Sequence, residues 1–154
     1  MSQVSHRLTA AGIVLPDPVA PIANYVPFVR AGDLVHISGQ VSLDASGGVT
    51  GTVGVDVDMT EAVRAARLCG INLLAQMRAA CDGDLDRVVR VVKLGGFVQA
   101  GPDFFDIPAV INGCSDVMVE AFGEAGRHAR SAVGVYRLPR NFSVEVDAIV
   151  EIVR

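Results

Sequence analysis

The residue types with most chemical potential stand near the C-terminus, in His128-Ala-Arg-Ser-Ala-Val-Gly-Val-Tyr-Arg-Leu-Pro-Arg-Asn-Phe-Ser-Val-Glu-Val-Asp-Ala-Ile-Val. Arg130 opens a stretch that reads as a strand, and Glu145 and Asp147, two residues apart on the next one, share a face of it. An arginine that begins a buried strand needs a partner, and its planar fork suits a carboxylate bidentately. An internal ion pair from Arg130 to Glu145 or Asp147 meets that need and is the commoner arrangement. A clamp for the carboxylate of a ligand meets it equally well, and residue types alone leave both open.

Other candidates fall away on geometry. The run from Gly47 to Gly54 lacks the Gly-Lys-Ser/Thr ending of a phosphate-binding loop and reads as a hairpin turn. Ser38 and His36 lie two residues apart on one strand face, where their working atoms rarely meet, so no hydrolytic triad is expected. His36 reads as a sheet residue, and His6 and His128 as surface residues. Three cysteines, Cys69, Cys81 and Cys114, show no Cys-x-x-Cys spacing, so neither a disulfide framework nor a zinc site is signalled and all three read as core residues or idle thiols.

The elements that must position these groups are legible from periodicity. Leu34 to Val41 alternates as a strand. Asp44 to Gly54 carries turn chemistry followed by a short return strand. Ala62, Ala66, Cys69, Leu73, Met77 and Ala80 recur three and four apart and predict a helix from Thr60 to Cys81, with Asp58 and Glu61 as its N-terminal capping pair. Arg87 to Gln99 is apolar on both faces and predicts a central strand, with Gly95-Gly96 as a bulge or close approach. Val110, Cys114, Met118 and Phe122, four apart, predict a helix from Ile107 to Phe122 that stops near Gly123. Ala132 to Arg137 and Ser143 to Val153 read as the last strands. Pro16, Pro18 and Pro21 make residues 1–24 an extended arm. The expected architecture is α+β, residues 1–154 as a single domain: one mixed six-stranded sheet with two helices on one face, its bare face meeting another subunit.

Composition sets the outer bounds. With 51% apolar and 19% charged residues, this 154-residue chain holds more apolar side chain than a small monomer easily hides, which also points to a subunit interface. A net charge of −4 without a basic cluster disfavours nucleic acid. Arg64, Arg67, Asn72, Gln76 and Arg78 interrupt the best apolar run, so no membrane helix is expected, and the first residues lack a signal-peptide pattern; a cytoplasmic location follows.

Ala129-Arg130-Ser131, the Leu138-Pro139 turn and Val144-Glu145-Val146-Asp147-Ala148-Ile149 resemble the signature of the RidA family, also called YjgF, the reactive-intermediate deaminases. Asn24-Tyr25-Val26, Ile37-Ser38-Gly39-Gln40 and Asn112 match in the same order, and the similarity spans residues 20 to 153. The resemblance implies a chorismate-mutase-like homotrimer with ligand clefts between subunits, hydrolysing 2-imino and enamino acids to 2-keto acids and ammonia with no metal or organic cofactor. Carried over by position, it implies that Arg130 grips the substrate carboxylate and that the backbone at Ser38 and Gly39 lies against the imine. Tyr25 and Asn112 would shape the cleft, and Glu145 would hold the attacking water. Two positions depart from the pattern: Ala132 stands where many deaminases of the family carry cysteine, and Gly134 where they carry glutamate. The alternatives are a ribonuclease acting on single-stranded RNA, as ascribed to some relatives, and a non-catalytic trimeric binder of a carboxylate metabolite.

Overall fold

A computed structural model describes residues 2–21 and 23–153. Strands β1 (Phe28–Ala31), β2 (Leu34–Val41), β3 (Val88–Gln99), β4 (Ala129–Val135) and β5 (Val144–Ile152) form one sheet in the order β1-β2-β5-β3-β4. All neighbours are antiparallel except β3 and β4, which run parallel. Helices α2 (Met59–Ala80) and α3 (Ile107–Phe122) cover one face, α2 over β2 and β5 and α3 over β3 and β4. The α+β class and the mixed sheet agree with the sequence reading, but the sheet has five strands, not six.

The missing strand is the expected return strand near Gly54. Gly47, Gly48, Gly51 and Gly54 all take positive φ there, which breaks the extended run, and the segment's strand-type pairing is limited to isolated bridges such as Thr50 to Phe142 and Val53 to Ala100. The first residues also differ from the expected arm, because Gln3–Ala10 form helix α1. Eight residues make a marginal helix alone. This one is held from outside: the Asp86 carboxylate accepts from the backbone N–H groups of Gln3 and Val4 at 2.9 Å each, while Val4 and Leu8 bury one face. Those two N–H groups also hold the Asp86 carboxyl below its ordinary range.

Elsewhere the predicted periodicities are realised. Asp58 caps α2 by accepting from Glu61 N at 2.9 Å, and Gly123, at φ 60°, ends α3. Leu73, Leu74 and Met77 of α2 and Ile111, Cys114 and Met118 of α3 are fully buried against Leu94, Val98, Val144 and Val146. Gly95 and Gly96 are a close approach rather than a bulge: a Cβ on Gly96 would lie 2.7 Å from Ile111 Cδ1, so α3 rests directly on β3. All three cysteines are buried, and burial pushes the Cys114 thiol up to about 12, which suits packing rather than reactivity. Among the described residues no helix is long and apolar enough to cross a membrane.

Among the described residues, no helix covers the opposite sheet face. Val29 and Val133 are exposed there, with Phe97 and Ile149 half-buried between them.

Candidate functional site

Strand order decides where the C-terminal groups go. β5 lies between β2 and β3, whereas β4 pairs only with β3, at the edge. Arg130 is therefore not on a strand adjacent to Glu145 and Asp147. Its register row runs Arg130, Leu94, Ala148 and Ile37, the row that faces the helices. Glu145 pairs with Phe97 and Asp147 with Gly95, one residue out of phase and thus on the helix-free face. The internal ion pair is consequently not formed: the five salt bridges among the described residues involve neither Arg130 nor Glu145.

Arg130 instead binds α3. Its Nη1 donates to Asn112 Oδ1 at 2.8 Å and Ser115 Oγ at 3.1 Å, and Nη2 reaches the Pro108 carbonyl at 3.4 Å. Ser115 Oγ lies 2.9 Å from His128 Nε2, and His128 Nδ1 lies 2.6 Å from the Gly126 carbonyl. Since Arg130 donates to Ser115 and a carbonyl only accepts, the consistent assignment has Ser115 donating to Nε2 and a neutral His128 protonated on Nδ1. Burial, helped by the nearby Arg130 charge, holds the His128 pKa below its ordinary value and favours that neutral form. His128 is thus half-buried support for Arg130, not the surface residue expected. The signal was present, since His128 precedes Arg130 by two residues in extended chain and Asn112 and Ser115 are three apart on one helix face.

Glu145, Tyr25, Gly39 and Arg140 line a separate cleft of about 410 Å³. Its outer wall is the Pro-rich arm, fixed on α2 where Arg78 donates to the Pro16 carbonyl and Gln76 to the Val19 carbonyl, each at 3.0 Å. The arm's end is fixed on β2 through Ser38, whose Oγ donates to Val26 O at 2.8 Å and whose N–H donates to Pro27 O at 2.9 Å. These bonds set Tyr25, 52% exposed, at the cleft. Pairing of β2 with β5 shifts register between Ile37 and Gln40, which brings the Ser38-Gly39 backbone out at that point. A Cβ on Gly39 would overlap Glu145 Oε1, so the absent side chain is what admits the carboxylate. Burial foremost, and then the Asp147 charge, raise the Glu145 pKa above its ordinary range. Asp147 is raised by burial too, partly offset by the Gly95 N–H and by Lys93.

Within one chain the predicted residues therefore fall into two groups. Tyr25, Gly39 and Glu145 gather in the cleft with Ser38 behind them, while Arg130 and Asn112 meet on the edge strand and α3. Ala132 follows Arg130 on that same strand, half-buried. Gly134 lies farther along it beside a hollow of about 300 Å³ that Ile107, Phe105 and Tyr136 also line. Among the described residues no cluster of three or more His, Cys, Asp or Glu side chains could hold a metal ion.

Comparison with known proteins bears on the family and the fold. Residues 5–152 match the family model described as "YjgF/chorismate mutase-like, putative endoribonuclease". Protein TCP17 of Trypanosoma cruzi is 48% identical over 152 residues, spanning 97% of this chain and 94% of that one. A 2-iminobutanoate/2-iminopropanoate deaminase of Dermatophagoides farinae is 32% identical over 143 residues, 90% of this chain and 95% of its own. Among solved structures, Atu1372 of Agrobacterium tumefaciens, of unknown function, superposes with a TM-score of 0.91 at 50% identity, over 97% of this chain and 92% of that chain. TdcF of E. coli, solved with bound serine, superposes with a TM-score of 0.62 at 26% identity, over 89% of this chain and 94% of its own.

Proposed function

The chain belongs to the YjgF/RidA family, and from that premise we propose that it hydrolyses reactive 2-imino and enamino acids to 2-keto acids and ammonia in clefts completed between subunits of a homotrimer. The observation that carries this reading is the division of the site. One half-site, with a carboxylate of raised pKa, lines an open cleft, while the other, a guanidinium braced on a helix, stands at an open sheet edge. Each half lacks what the other has, and packing of the helix-free faces against one another brings the halves of neighbouring chains together. The deaminase relative supports the reaction, and TdcF, with serine bound, supports a small carboxylate-bearing ligand.

In the proposed reaction Arg130 holds the substrate carboxylate through N–H groups not used by Asn112 and Ser115. A protonated imine carbon is already electrophilic, so the protein's main tasks are orientation and charge stabilisation. Glu145 takes a proton from water as the water oxygen bonds to the imine carbon and the C=N π pair moves to nitrogen. The resulting carbinolamine receives that proton on its nitrogen. The C–N bond then breaks, ammonia departs, and the hydroxyl proton leaves as the carbonyl forms. A carboxylate with a raised pKa suits this two-way traffic better than an ordinary one. The test is suppression of semicarbazone formation from dehydratase-generated imines. Absence of activity on every amino-acid imine overturns the hydrolase reading, and retained keto-acid binding would then favour a non-catalytic binder.

Gly39 supplies a sharper check. The three atoms nearest an alanine Cβ there all belong to the flexible Glu145 side chain, and Gly39 does not require positive φ, so Gly39→Ala is expected to melt within a few degrees of wild type. It displaces the carboxylate, however, and imine hydrolysis is expected to fall at least about tenfold, a part of the roughly 10²–10⁴-fold that a positioned general base contributes. Unchanged activity would show that the position of Glu145 is immaterial.

A ribonuclease reading draws on the family model's description. The −4 net charge weighs against it, and absence of single-stranded RNA binding at low salt would dismiss it.

A further inference from the structure

Arg140 lines the cleft with Glu145 and Tyr25, yet takes part in no hydrogen bond or ion pair among the described residues. Its backbone is left-handed at φ 54°, ψ 27°, and Asn141 follows at φ 62°. Asparagine tolerates that region; arginine does so at a cost, and such strain persists only where surrounding contacts impose it. Here they are explicit. Gln99 is wholly buried; its Nε2 donates to Asn141 Oδ1 at 2.7 Å and to Gly51 O at 3.2 Å, while its Oε1 accepts from Leu138 N at 2.8 Å. Asn141 O also accepts from Gly51 N at 2.8 Å, and Pro139 restricts the entry to the turn. The turn is thus clamped on both sides of Arg140, which is exposed to solvent, lines the cleft and has its charge unpaired among the described residues.

We infer that Arg140 is a second anion anchor, so that the cleft favours 2-imino acids bearing a distal carboxylate over those with small neutral side chains. The inference rests on the proposed imine-hydrolase site, with Arg130 taking the carboxylate next to the imine and Arg140 the distal one. A charged donor at a half-open site is expected to give about tenfold discrimination.

The test pairs turnover with binding on the intact protein. Hydrolysis of 2-iminosuccinate and of 2-iminobutanoate, each generated by an amino-acid oxidase, is followed by loss of the semicarbazone, and binding of 2-oxoglutarate and of 2-oxobutanoate is measured by calorimetry. Wild type is expected to favour the diacids about tenfold in both assays. Arg140→Asn, which suits the left-handed turn and so preserves the fold, is expected to bring both ratios close to one through KM, and Arg140→Lys to keep part of the preference. A wild type without preference, or an Arg140→Asn variant that keeps it, overturns the inference. If no imine is hydrolysed but the binding ratio responds to Arg140, the hydrolase reading fails and the anchor stands.

Discussion

Arg130→Ala is expected to lower kcat/KM for small 2-imino acids by about 100- to 1000-fold, with most of the loss in KM. The size follows from removing a charge-assisted contact to a carboxylate, on the order of 3–4 kcal/mol. The guanidinium grips ground state and transition state alike, so uniform binding is lost first, and kcat falls only as far as the substrate loses its alignment. The fold gives the matching control. Arg130 is only half-buried, and its partners Asn112 Oδ1 and Ser115 Oγ lie near solvent, so water can replace it and stability should drop by no more than about 1 kcal/mol. A near-native melting temperature with a hundredfold loss of kcat/KM is the signature expected of a ligand anchor. Arg130→Lys keeps the charge without the fork and should recover only part of the loss. An alanine variant as active as wild type would mean that another group holds the carboxylate, and Arg140 would be the first to examine.

How far such a site can be read in advance depends on which distances are local. The spacing of Ala62 to Ala80 and of Val110 to Phe122 dictates α2 and α3, because apolar side chains three and four apart must share a helix face. The alternation of Val144, Val146 and Ala148 with Glu145 and Asp147 likewise dictates which β5 side chains are buried. What the chain does not announce is that β5 inserts between β2 and β3, leaving β4 on the far side. Reading β4 and β5 as neighbours puts Arg130 beside Glu145, an expectation that fails by one strand and one face. Helix α1 was illegible for a related reason, since its stability comes from Asp86, far along the chain. The return strand failed locally instead, because its glycines favour turns over pairing. Arg140 was hidden because nothing in Leu-Pro-Arg-Asn reveals that Gln99 clamps the turn from beneath. The family resemblance named Arg130, Tyr25 and Glu145 by position, but only the strand order explains why one chain keeps Arg130 apart from the other two.

The second large effect is that of Glu145→Gln, expected to reduce kcat by about 10²–10⁴-fold by removing the group that exchanges protons with water and amine. Glutamine keeps the shape and can still hold a water molecule, so KM should change little and the deficit should lie in kcat, the opposite division from that of Arg130→Ala. The same substitution changes the pH dependence of stability, with a sign that follows from the pKa. Glu145 is raised in the folded chain, first by burial and then by Asp147. The folded state therefore holds that proton where the unfolded chain has released it. Its favourable contribution is full below the unfolded carboxylate range, about 4.3, and is lost as pH climbs through the higher folded value. Glutamine has no proton to lose. The melting-temperature difference, variant minus wild type, should accordingly be more positive at pH 8 than at pH 4, and the acid limb of the wild-type rate profile should lie above the ordinary glutamate range. A variant that is inactive but shows no change in that difference between the two pH values would still allow catalysis by Glu145, but would remove the buried, raised carboxyl as its physical basis. A variant that keeps wild-type kcat would end the proton-transfer role altogether, leaving Glu145 as part of the cleft wall that Gly39 accommodates.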